Sequence, residues 1–136
     1  MIEIFRDTAT VVRLTNKEIE KAAKHVTKRE RINDAELSFV IVGDRMMRRI
    51  NKNFLSHDYV TDVITFPLEA KKVNAEIYIN IDQAKRQARQ YSVTIQNELI
   101  RLVVHGTLHA IGYDDTNQAE QKKMERVQEQ YVSELS

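Results

Sequence analysis

No cysteine occurs anywhere in the 136 residues. That excludes disulfides, thiolate metal ligands and a cysteine nucleophile. With one proline and three glycines, the chain has no Pro/Gly-rich linker, and no internal repeat or low-complexity segment divides it. It reads as one domain over 1–136, long enough to bury a sizeable core. No apolar stretch reaches the ~18 residues that span a bilayer. The opening "MIEIFRDTAT" has neither a basic leader region nor a long apolar run, so no signal peptide is visible. The expectation is a soluble, cytoplasmic protein with no membrane partner. Neither sign of charge dominates: 21 Lys and Arg face 20 Asp and Glu, a net charge of +1. A nucleic-acid partner would therefore have to be held by local patches rather than a global field. What remains is an ordinary globular mixture, 42% hydrophobic and 30% charged.

Strand and helix patterns alternate along the chain. Strands are expected at 2–5, 35–42, 60–66 (stopped by Pro67) and 75–81, the last with Ile77, Ile79 and Ile81 on one face. Helices are expected from a Thr15 cap to about Arg29, and from an Asp44 cap to Phe54 with Met46, Met47, Ile50 and Phe54 buried. Three more follow: Asp82 to Gln90, 94–111 ended by Gly112, and 117–134 with Met124, Val127 and Tyr131 inward. Together these imply an α+β fold, a four-stranded mixed sheet with about five helices packed around it.

Helix 94–111 is apolar nearly all round, so it should be central. Yet Glu98, Arg101, His105 and His109 recur on it at spacings of three and four, one polar stripe on an apolar rod. A buried polar stripe is costly unless something meets it. Two histidines at i and i+4 project from neighbouring turns of one face, a spacing at which both imidazoles can hold one ion. In "HGTLHAIGYDD" (105–115), Gly112 would end the helix and let the chain return Asp115 as a third, oxygen ligand. Two nitrogens and one oxygen suit zinc, with a further position left open. Iron, nickel and manganese are also compatible with that set. The competing reading is two hydrogen-bonded core histidines, with Asp115 or Asp114 capping the following helix. Peptidases of the His-Glu-x-x-His type carry a glutamate base directly after the first histidine. Here that position is Gly106, so the helix is zincin-like in its ligands but not a conventional peptidase in its chemistry.

Two faces are candidates for holding phosphates. Arg45, Arg48, Arg49 and Lys52 form a basic stripe opposite the apolar side of their helix, and Lys85, Arg86 and Arg89 form a second cluster. The bland alternative for either is a solvated helix face. Asp62 is a candidate partner for a ligand histidine, or else a strand-edge residue.

These motifs carry a family resemblance. "HGTLHAIGYDD" resembles the signature of the YbeY family of endoribonucleases, His-Gly-x-Leu-His-Leu-x-Gly-Tyr-Asp-His. "INKNFLSHDYVTDVITFP" (50–67) is similar to that family's block Asn-x-x-Tyr-Arg…Thr-Asp-Val-Leu-Ser-Phe-Pro, and "AEIYINIDQAKRQA" and "NELIRLVVHG" follow in the family's order. The resemblance runs from about residue 36 to 132. It implies helices around a four-stranded mixed sheet, and a zinc-dependent endoribonuclease cutting single strands. It also implies roles in small-subunit ribosomal RNA maturation and ribosome quality control, with ribosomal RNA and small-subunit proteins as partners. Metal ligation carries over to His105 and His109. It carries over to Asp115 with a change, because the family usually has histidine there; the added negative charge should weaken the ion as a Lewis acid. Leu55 stands where the family commonly has arginine, so transition-state charge has no obvious holder; His57 and Arg101 are the substitutes in reach. Ala75 stands where glycine is frequent.

The leading expectation is thus a metal-dependent hydrolase domain in which a metal-bound water attacks the phosphodiester. Two alternatives stand beside it: a zinc hydrolase of another substrate class, and a non-catalytic ribosome-associated binding module.

Overall fold

The computed structural model describes residues 1–8, 10, 12–55 and 61–136. His57 and Val60 lie outside the described residues. Four strands, β1 (Ile2–Asp7), β2 (Glu36–Val42), β3 (Val63–Pro67) and β4 (Asn74–Asn80), form one sheet in the order β1-β2-β4-β3. β1, β2 and β4 are parallel, and β3 runs antiparallel to β4 at the edge. Five helices surround it: α1 (Asn16–Arg29), α2 (Asp44–Leu55), α3 (Ile81–Gln90), α4 (Ile95–Ile111) and α5 (Gln118–Leu135). The α+β class and the mixed four-stranded sheet are those expected from the sequence.

Local chemistry explains most boundaries, with some corrections. Thr15 caps α1 through a full capping box with Glu18. α3 is capped by Asn80 rather than Asp82, its side-chain oxygen accepting from the Asp82 and Gln83 N–H groups. Asp82 instead accepts from the Asp44 N–H and the Thr10 hydroxyl. Ile81 is therefore the first residue of a helix, not the last of a strand. Asp44 also does not cap; it lies inside α2, its carboxylate held by the Arg86 fork and by Asn80. Pro67 is the last residue of β3, on the sheet's edge, where a missing N–H costs no ladder bond.

Strand alternation sends neighbouring side chains to opposite faces, and here the two faces have different partners. Leu37, Phe39, Ile41, Ala75, Ile77 and Ile79 face Ile19 and Ala22 of α1 and Leu99, Leu102 and Val103 of α4. Val42 and Ile64 point the other way, onto Met47 and Ile50 of α2. α4 is thus central, as its apolar circumference required, and α2 lies across the sheet from it. α5 covers the outer side of α4 through Met124, Tyr131 and Val132. Phe54, expected inside, is 71% exposed and meets Phe66 edge-to-face. Its position at the last turn of α2 carries it beyond the sheet cover.

Candidate metal centre

α4 starts at a Thr94 cap and stops at Gly112, whose φ of +121° suits glycine and strains other residues. The reversal there has two consequences. It brings the Tyr113 carbonyl back over the last turn, where it accepts from His109 Nδ1 at 3.1 Å. It also returns the chain so that Asp115 Oδ2 stands 3.6 Å from His109 Nε2. His105 and His109 lie with ring centroids 4.7 Å apart at 77°. One donor atom from each of His105, His109 and Asp115 falls within 4.8 Å of the others.

The capping role weighed for Asp115 is taken by Asn117, whose side chain accepts from the Glu120 N–H. Asp114 is engaged locally, one oxygen accepting from the Asp115 N–H and the other from the Thr116 hydroxyl. Asp114 therefore shapes the loop, and Asp115 is the carboxylate presented to the histidines.

Each member of the polar stripe on α4 is met. Glu98, 2% exposed, accepts from Gln87 Nε2 on α3 and from Arg101. Arg101 also grips Glu129 on α5 with two nitrogens. His105 Nδ1 is 2.7 Å from Gln128 Oε1 on α5. Among the described residues no buried side-chain nitrogen or oxygen is left without a partner.

The donor set fits a divalent ion. A backbone carbonyl and an amide oxygen only accept, so each Nδ1 must carry its proton, leaving the Nε2 lone pair of both rings available. That division of the two ring nitrogens is the one found in metal-ligating histidines. Burial and the neighbouring His105 push the His109 imidazole below its ordinary value, with partial opposition from Asp115 and the Tyr113 carbonyl. The neutral form is the one that binds metal.

Two cavities, of ≈ 460 and ≈ 520 Å³, share Asp62, His105 and Asp115 in their walls. Arg101 is the one Lys or Arg in either lining among the described residues, and its guanidinium is occupied by Glu98 and Glu129. It is therefore not placed to replace the arginine missing at Leu55; the other substitute, His57, lies outside the described residues. The Asp62 carbonyl accepts from the Asn80 N–H, the strand-edge role, while both histidine Nδ1 atoms have other partners. Arg45, Arg48, Arg49 and Lys52 are exposed on α2, but the sheet stands between that helix and α4. Of the second basic cluster, Arg86 is committed to Asp44.

Gln128 was not foreseen from the sequence. A signal for it exists: it falls four residues after Met124 and three before Tyr131, a polar residue on the apolar line of α5.

A mixed sheet backing a central helix, with two histidines on one face and a carboxylate returned by a glycine turn, defines an α+β protein with a histidine-histidine-carboxylate centre. The chain belongs to the Endoribonuclease YbeY family, whose model matches residues 2–136. A relative from Chloroherpeton thalassium, named Endoribonuclease YbeY, is 37% identical over 123 residues, covering 90% of this chain and 87% of that protein. Another of the same name, from Chlorobium phaeobacteroides, is 31% identical over 135 residues, covering 98% and 96%. The solution structure of TM1509 from Thermotoga maritima superposes with a TM-score of 0.73 at 30% identity, covering 99% of this chain and 89% of that one.

Proposed function

We propose that this protein is a single-domain, metal-dependent endoribonuclease over residues 1–136, cutting single-stranded RNA at the centre formed by His105, His109 and Asp115. Family membership and the names of its relatives support the reaction class. The observation that carries the metal reading is the pair of Nδ1 atoms committed to carbonyl oxygens, which leaves both Nε2 lone pairs available in a group completed by Asp115. Zinc is the ion we assign, because two nitrogens and an oxygen with room for a further ligand suit it. The substrate we assign is ribosomal RNA, in maturation of the small subunit and in ribosome quality control, in the cytoplasm. Small-subunit proteins would be neighbours there. No described helix is long and apolar enough to cross a membrane.

An ion held here would supply Lewis-acid stabilisation of phosphate charge and an acidified water. The protein's own share is orientation. The Tyr113 carbonyl and Gln128 fix the two rings, and Asp115 closes the set with a negative charge that offsets the ion's. Phosphates flanking the cut are assigned to Arg45, Arg48, Arg49 and Lys52. A strand engaging both places must pass over the β3 edge.

The test is cleavage of a single-stranded RNA by the metal-loaded protein and by His109→Ala. Cleavage abolished in a folded variant is expected; undiminished cleavage would refute the metal mechanism.

A second reading, a non-catalytic ribosome-associated module, is favoured by one observation: among the described residues the one arginine lining the cavities is neutralised by two carboxylates. It requires RNA binding that survives loss of both histidines. A peptidase reading has no such support, since Gly106 leaves no room for a base.

A further inference from the structure

We infer that Gln128, on α5, is the positioning residue for His105: it sets the tautomer and ring orientation that turn Nε2 towards His109 and Asp115. This rests on the metal reading above and adds a residue on a different helix to it.

A chain of hydrogen bonds leads to Gln128, and its direction is forced at every link. Glu98 is 2% exposed, and its two oxygens accept from Gln87 Nε2 at 2.7 Å and Arg101 at 3.0 Å. That buried carboxylate anchors the guanidinium. The guanidinium, a donor only, holds both oxygens of Glu129 at 2.8 and 3.1 Å. Glu129 is kept ionised, its carboxyl held below the usual range first by Arg101, so it can only accept. It accepts from Gln128 Nε2 at 3.1 Å. The amide nitrogen of Gln128 is therefore fixed on the Glu129 side, and its oxygen must face His105, 2.7 Å from Nδ1. An amide oxygen cannot donate, so His105 Nδ1 carries the proton and Nε2 bears the lone pair.

A free neutral histidine favours the opposite tautomer, with the proton on Nε2, which cannot ligate through that atom. Gln128 reverses the preference before any ion arrives. His109 needs no such helper, because a backbone carbonyl of its own helix terminus does the same work. The two ligands of α4 are thus fixed by different means, one by the Gly112 turn and one by α5. The packing of α5 on α4, through Met124 and Tyr131 against Val104 and Leu108, is what brings Gln128 into place.

The test uses the full chain and two readouts, with Gln128→Leu, which keeps the volume and removes the acceptor, and Gln128→Glu, which keeps an acceptor. In the metal-free protein, ring ¹⁵N shifts of His105 report its tautomer. Chelator competition reports zinc affinity. The expected results are an Nδ1–H ring in the wild type and Gln128→Glu, and a shift to the Nε2–H form in Gln128→Leu. Zinc affinity should fall ~10–100-fold in the leucine variant and be largely recovered in the glutamate one. Gln128→Ala repeats the measurement should the leucine variant fold poorly. An unchanged His105 tautomer, or equal zinc affinity in wild type and Gln128→Leu, overturns the assignment. A wild type that binds no zinc sinks the metal reading instead, and the ring shifts then decide alone whether Gln128 sets the histidine.

Discussion

Gly106 lies so close to Ile77 that a Cβ on it would stand 2.5 Å from Ile77 Cγ2, with Val63 Cγ2 at 3.4 Å and Thr65 Oγ1 at 3.5 Å. The glycine between the two histidines is therefore the point where α4 beds into β3 and β4. The Thr65 hydroxyl fastens it there, donating to the Gly106 carbonyl at 3.3 Å. A peptidase-type glutamate has no room in that place.

Gly106→Ala should accordingly lift α4 from the sheet. Overpacking of this kind costs ~1–3 kcal/mol, opposed by a helix-propensity gain of up to ~1 kcal/mol for alanine over glycine. Urea unfolding would show a lower midpoint, and zinc affinity should fall with it because the adjacent His105 moves. Pairing the change with Ile77→Ala in a double-mutant cycle should reveal a favourable coupling, since the smaller residue vacates the clash. Strictly additive effects would place the strain elsewhere.

Removal of a ligand should be more severe than removal of a residue that orients one. His109→Ala and Asp115→Ala are expected to strip metal from the purified protein, as measured by elemental mass spectrometry. The wild type should carry about one ion per chain, one being all that a single three-donor set can hold. The loss should exceed the ~10–100-fold that an outer partner's removal costs. Asp114→Ala separates the two neighbouring carboxylates: it should loosen the 114–116 turn while leaving most of the metal. Metal retained in Asp115→Ala and lost in Asp114→Ala would exchange their roles.

Which parts of this arrangement the sequence disclosed follows from which forces are local. Thr15, Thr94 and Gly112 announce their helix ends because caps depend on residues a few positions away. The polar stripe of α4 was visible for the same reason, as a periodicity. What answered it was not: Gln87, Gln128 and Glu129 come from α3 and α5, and their roles depend on how those helices roll against α4. Asp82 misled because it has the right chemistry for a cap, yet long-range bonds to Asp44 and Thr10 claim its carboxylate and Asn80 takes the cap. The placement of α2 across the sheet from the histidines depends on strand order, which no local pattern records.

Acid should loosen the contact between α1 and α5. The Arg29 guanidinium and His25 hold the Glu134 carboxyl down at about 2, against an ordinary 4.5. A depressed folded-state value means that the stabilisation is fully present above the unfolded value and is lost as pH falls through the window from 4.5 to about 2. Glu134→Gln should therefore be less stable than the wild type near neutral pH and converge on it at the acid end. Thermal melts of both proteins across that range would show the convergence; parallel curves would mean that the carboxylate's charge is not what ties the helices.

The basic face of α2 gives the last prediction, and its position decides the form. Arg45 and Arg49 are exposed, one turn apart on a helix that the sheet separates from the histidines. If they hold phosphates, Arg45→Glu with Arg49→Glu should weaken RNA binding and reduce the salt slope by about one for each phosphate no longer neutralised. Because neither residue adjoins the reacting centre, KM should rise while kcat stays near the wild-type value. A fall in kcat alone would mean that α2 acts on the centre rather than on RNA. Unchanged binding at every salt concentration would remove this face from the RNA path and leave the cavities around Asp62 as the route for the strand.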